Sequence, residues 1–138
     1  MTEKFYLQQR NKAQDEKVER ACFVEEQSIR RSLGPSLFRT FCDEIQAECA
    51  RFNNAVGERL LTSRFPLELT VKDLKTCRFI RFEYDDECPS VHWTESGASG
   101  EITFRVDKTP APFLRLMHNG SPFMAKLLAM EFVVGLTR

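Results

Sequence analysis

The sequence predicts a single α+β domain whose helices gather mainly on one face of an antiparallel sheet. Apolar residues recur every three or four positions up to about residue 60 and again near the carboxyl end. Between about residues 67 and 117 they recur at every second position, as in strands with one buried face. The connections between these alternating segments are short, and only antiparallel strands can be joined so tightly.

The chain length corresponds to one domain, because 138 residues can bury a core without a metal or a disulfide framework. We therefore assign residues 1–138 to a single domain. Residues 1–13 are more polar than the rest of the N-terminal region, and we expect fraying there.

Two helices are predicted before the sheet. The first begins near residue 14 and ends at Gly34-Pro35, since Gly favours the position after a helix and Pro cannot continue one. The second is long, about seven turns from an N-cap at Ser36. Its apolar stripe comprises Leu37, Phe38, Phe41, Ile45, Cys49, Phe52, Val56 and Leu60.

A meander of four to five strands is predicted next. Its alternating segments are residues 67–71, 80–84, 91–93, 102–106 and, less regularly, 113–117.

The carboxyl end predicts an apolar helix. Asn119-Gly120 forms a turn, Ser121 caps the helix, and Pro122 takes its first position, with the helix running to about residue 136. Because apolar residues lie almost all round this helix, we expect the sheet and the long helix, or a second subunit, to cover it.

The candidate binding site is the polar sheet face around His92. Val91 and Trp93 are expected to point into the core, so the imidazole between them points outward. Such a face could bind a small anion, with His92 as a general acid or base, and the first helix would cover part of it. The same residues are equally typical of ordinary cross-strand ion pairs. The expected neighbours of His92 are Arg81, Glu83 and Arg105.

The segment DDECPSVHWT, residues 85–94, raises the question of a metal site. Cys88 and His92 would lie roughly 13 Å apart on an extended strand, too far to share one zinc ion. The preceding carboxylates lack the spacing of a calcium loop. We interpret the stretch as a solvated acidic turn and expect no metal.

Composition argues against several other classes of function. Lys and Arg together number 20, as do Asp and Glu, so no basic field favours nucleic acid. No nucleotide-binding, hydrolase or metalloprotease motif is present, and we expect no cofactor. No stretch is apolar over the length of a bilayer, and the first residues lack a secretory signal, so we expect a cytoplasmic protein without a membrane anchor. The five cysteines are then reduced thiols.

These observations favour a small non-enzymatic interaction module, which forms a homodimer or binds another protein through the apolar C-terminal helix and the exposed end of the long helix. The alternative is a domain that binds or hydrolyses a small anionic ligand at the polar face around His92.

Overall fold

The computed structural model describes residues 2–138, with side chains from Glu3 onward. Helix α1 (Thr2–Val56) leads into a seven-stranded antiparallel meander, in which each strand pairs with the next in sequence. Helix α2 (Ala125–Thr137) follows the sheet and packs beside α1 on the same sheet face. The strands are β1 (Leu60–Phe65), β2 (Glu68–Asp73), β3 (Phe79–Asp85), β4 (Ser90–Glu95), β5 (Ala98–Asp107), β6 (Phe113–His118) and β7 (Ser121–Phe123).

The predicted α+β class with an antiparallel sheet is confirmed, but the predicted break at Gly34-Pro35 is wrong, since α1 continues through it. Gly34 is buried where α1 crosses Tyr84 and Phe104, and a β-carbon there would collide with the Tyr84 hydroxyl. Its role is therefore close packing rather than helix termination. Pro35 leaves the carbonyl of Arg31 without its usual partner, and the flanking turns hold the helix together across that gap.

The number of strands is also larger than predicted. Strand β1 occupies residues assigned to the end of the long helix, because α1 ends at Val56 and Gly57 takes a left-handed backbone, with φ of 93°. The Asn53 side chain then accepts the N–H groups of Arg59 and Leu60 and donates to the Leu60 carbonyl. These bonds hold the first residues of β1 against the last turn of α1, and the N–H of Gly57 donates to the Asn53 carbonyl at 2.8 Å to end the helix.

Strand β7 replaces the predicted start of the C-terminal helix. Asn119 and Gly120, with φ of 52° and 77°, form a tight hairpin turn, and Ser121 pairs back onto His118. Pro122 lies on this edge strand, where its missing N–H costs no sheet bond. The N-cap of α2 is Met124, three residues later than Ser121.

The core lies between the inner sheet face and the two helices. The predicted alternation is confirmed, because Leu69, Val71, Ile80, Phe82 and Val91 are all buried. Phe82 meets Phe41 of α1 and Phe132 of α2 edge-on, with ring centroids 5.2 and 5.0 Å apart. Such aromatic contacts fix the position of both helices on the sheet.

One ion pair is buried beside this core. Asp73 is fully buried, and Arg59 donates Nε and Nη2 to its two oxygens at 2.8 Å. Arg59, then the backbone N–H of Lys75 and the Thr76 hydroxyl, hold the pKa of the Asp73 carboxyl well below its ordinary value. Arg59 also reaches the Thr137 carbonyl at 3.3 Å, so this pair joins β1, β2 and the end of α2.

Candidate functional site

His92 lies on the outer sheet face, as predicted. Its side chain is 52% exposed, whereas Val91 is fully buried. The strand register places Glu83 of β3 directly opposite His92. Arg81 lies two positions along β3, where it forms ion pairs with Glu68 at 3.0 Å and Glu83 at 3.6 Å.

Arg105 is separated from the other three predicted residues. Ile102 pairs with Val91, so Arg105 lies beyond the end of β4, and it pairs instead with Arg115 of β6. It contacts Asp107 at 3.6 Å. The structure therefore brings Glu83 and His92 together, with Arg81 nearby, but leaves Arg105 at a different part of the sheet.

The first half of α1 does not cover this outer face, contrary to expectation. The helices pack on the inner face, and Phe79 on the outer face remains 40% exposed. A flat, solvated face forms weaker small-molecule sites than a concave one.

The acidic turn after β3 borders a shallow depression of about 280 Å³ beside His92. The N–H groups of Cys88 and Glu87 donate to Asp85, and the Cys88 bond is the main cause of its lowered pKa. His92 Nε2 lies 3.7 Å from the Asp85 carboxylate. Four acidic side chains line the depression, an arrangement that repels anions. Among residues 2–138, no group of His, Cys, Asp and Glu side chains is placed to hold a metal ion.

A larger groove, of about 710 Å³, lies where the β3–β4 and β6–β7 turns approach α1. It contains Arg105 and Arg30, together with Ser90 and Thr103. Arg30 already donates Nε to the Phe104 carbonyl at 2.9 Å. Two arginines, Arg30 and Arg105, therefore line this groove together with the carboxylate of Glu101.

Sequence reasoning missed a third concavity, a cleft of about 570 Å³ between α2 and β4. Its walls include Trp93, His118 and Phe132, with the His118 and Phe132 ring centroids 5.1 Å apart. Trp93 Nε1 and His118 Nδ1 are buried, and neither has a hydrogen-bond partner within the described part of the chain. No sequence pattern indicated this cleft, because the three residues come from three separate elements.

A long exposed surface lies along the first half of α1. We call residues 3–25 the arm. Every side chain of the arm is exposed. The arm is about 33 Å long at 1.5 Å per residue. Its only described polar link to the sheet is at its last residue, where Lys108 reaches Glu25 at 3.2 Å. Its large exposed apolar side chains are Phe5, Tyr6, Leu7, Val18, Phe23 and Val24.

The second unpaired apolar surface is the outward side of α2. Leu128, Ala129, Val133 and Leu136 are buried on its inner side. On the outward side, exposed apolar residues recur at helical spacing and form a stripe. This α2 stripe comprises Met124, Leu127, Met130 and Val134. The helix is apolar on nearly all sides, as predicted, but within the described chain only its inner side is covered.

Comparison with known proteins gives no match to a family, to a curated protein or to a solved structure. No helix among the described residues has the length and apolar character needed to cross a bilayer.

Proposed function

We propose that this protein is a small cytoplasmic interaction module, not an enzyme, and that it forms a homodimer through the arm and the outward side of α2. The observation that carries this proposal is the arm, a helical extension with every side chain exposed and six large apolar residues among them. An ordered helix of this length gains little stability in water unless it packs against something.

The α2 stripe supports the same function. Contiguous exposed apolar surface on a small protein is typical of contact sites between proteins. A homodimer would use each such surface twice, once in each subunit, because a two-fold interface is built from identical patches.

Size-exclusion chromatography with light scattering tests this proposal. At tens of micromolar the expected mass is twice the 16.0 kDa of the chain. A strict monomer that also fails to bind a hydrophobic dye would contradict both the dimer and the exposed apolar surface.

A second candidate function is binding or hydrolysis of a small anionic ligand at the polar sheet face around His92, Arg81, Glu83 and Arg105. Of these four residues only Arg105 lies in the larger groove, where it and Arg30 support the binding part, since guanidinium groups pair well with phosphate and carboxylate. Titration with inorganic phosphate, followed by NMR, should shift the signals of the groove residues before those of His92. Uniform, unsaturable shifts across the sheet would remove this candidate.

A further inference from the structure

Apart from Val18, the large apolar side chains of the arm lie toward its two ends, with mostly polar and charged side chains between them. Phe5 and Tyr6 lie near the free end, whereas Phe23 and Val24 lie near the domain. Residues 5 and 23 are 18 positions apart, about five turns at 3.6 residues per turn, so Phe5 and Phe23 share one line along the helix. Tyr6 and Val24 share a second line beside it.

Two opposite charges lie on the same side of the arm. Lys12 and Glu16 fall within about 20° of the line through Phe5 and Phe23, at 100° of rotation per residue. The order along this side is therefore Phe5, Lys12, Glu16, Phe23. It reads as aromatic, basic, acidic, aromatic.

This order is symmetric about Gln14. Positions 5 and 23 add to 28, as do positions 12 and 16, so reversing one copy about Gln14 places each residue opposite its counterpart. Phe5 then faces Phe23 of the second copy, and Lys12 faces Glu16 of the second copy. In a parallel pairing each lysine would face a lysine and each glutamate a glutamate, which is unfavourable.

The overall charge of the arm favours the same orientation. Residues 3–12 contain three basic side chains and one acidic, whereas residues 13–25 contain four acidic and two basic. Antiparallel pairing sets each basic half against an acidic half, and it also opposes the two helix dipoles.

The arm also provides a surface for the partner's aromatic rings. A shallow depression of about 430 Å³ lies against Glu16, Glu19, Arg20, Phe23 and Val24. The residues of a second copy that reach it in the antiparallel arrangement are Phe5 and Tyr6, which are 56% and 67% exposed.

We propose, on the basis of the proposed homodimer, that the arms of two copies pair antiparallel about Gln14. Phe5 and Tyr6 of each copy pack on Phe23 and Val24 of the other. Lys12 of each copy forms an ion pair with Glu16 of the other.

Charge variants of the full chain test the orientation. Lys12→Glu and Glu16→Lys should each weaken self-association about tenfold, because each sets like charges opposite one another twice. An equimolar mixture of the two variants should restore wild-type affinity. One variant then carries glutamate at both positions and the other carries lysine at both, so every contact between the two chains joins opposite charges. Lys17→Glu, about a third of a turn away, is the control and should not weaken self-association, because it leaves the Lys12–Glu16 pairs intact and makes the acidic half of the arm more acidic.

Analytical ultracentrifugation measures these affinities, and circular dichroism checks that each variant stays folded. If both variants dimerise as tightly as the wild type, the arm proposal is rejected, and the homodimer must form through another surface. If the mixture does not recover, the antiparallel arrangement is rejected. A wild-type chain that is monomeric throughout rejects the homodimer as well.

An apolar pair of variants tests the face of the arm that is used. Phe5→Ser should weaken self-association about tenfold or more, whereas Val18→Ser should not, because Val18 lies on the opposite side of the helix. Equal effects of the two substitutions would contradict the proposed face, since both side chains are similarly exposed, at 56% and 62%.

Discussion

Gly34 is the residue of α1 that lies directly against Tyr84 and Phe104 of the sheet. The nearest atom to a β-carbon at this position would be the Tyr84 hydroxyl, and the edge of Phe104 lies close behind it. Tyr84 is itself buried and packs on Phe38 and Phe104, so it cannot move away freely.

Gly34→Ala should therefore lower the free energy of unfolding by about 1–3 kcal/mol, despite the better helix propensity of alanine. The loss should shrink in a Tyr84→Phe background, because the colliding hydroxyl is gone, and a double-mutant cycle by urea denaturation measures this. Gly135→Ala in α2 is the matched control, since nothing lies within 4 Å of its missing β-carbon. A loss of equal size in the wild-type and Tyr84→Phe backgrounds would show that the hydroxyl is not the obstacle.

Asp73 makes the stability of the fold depend on acid. Its folded-state pKa lies below the unfolded value of about 4, so the unfolded chain binds the proton first as pH falls. The stabilisation is complete above about pH 4 and is lost as pH falls toward the folded-state pKa.

Asp73→Asn should cost about 3 kcal/mol at neutral pH, because it leaves Arg59 without its carboxylate. It should also flatten the acid dependence of the unfolding free energy. Asp107→Asn is the control and should cost far less, since Asp107 pairs with Arg115 at the surface of the sheet. An unchanged acid dependence in Asp73→Asn would refute this assignment.

At the scale of single residues, the sequence predicted which side chains face inward but not which ones meet. The alternation placed His92 outward and Val91 inward, because side-chain direction follows from strand geometry alone. The neighbours of His92 depend on register, which turn geometry sets. Arg105 was assigned to the same site because the register of β4 against β5, which places Arg105 beyond the first residue of β4, could not be read from the sequence.

At the scale of elements, the long helix and the first and last strands were harder to predict than the central strands. Leu60 continues the helical stripe of α1, yet Gly57 and the Asn53 side chain end the helix before it. The Asn119-Gly120 pair is compatible with a hairpin turn and with the segment before a helix. The pairing of Ser121 with His118 of β6 makes it a hairpin turn. Where a stretch of sequence is compatible with two local structures, tertiary contacts select one of them.

Pro35→Ala tests whether α1 is one element. Alanine restores a donor for the Arg31 carbonyl, so the free energy of unfolding should rise by about 1–3 kcal/mol with no loss of helix signal. Thermal denaturation followed by circular dichroism measures both quantities. A destabilised variant with less helix would show that Pro35 is needed to shape a bend.

At the scale of the whole molecule, the fold divides into a packed domain and the arm. The sheet, α2 and the second half of α1 share one core, whereas the side chains of residues 3–25 are all exposed. The sequence indicated helix in much of this region, but its low apolar content could not show that the helix leaves the domain. The proposed self-association rests on that separation.

Amide hydrogen exchange of residues 3–25 at low and at high micromolar concentration tests this account most directly. A lone helix opens readily, so fast exchange is expected in dilute solution and slow exchange when dimers form. Core residues 38–52 of α1 should be protected at both concentrations and serve as the internal reference. Arm amides that exchange at the same rate at every concentration would contradict the account.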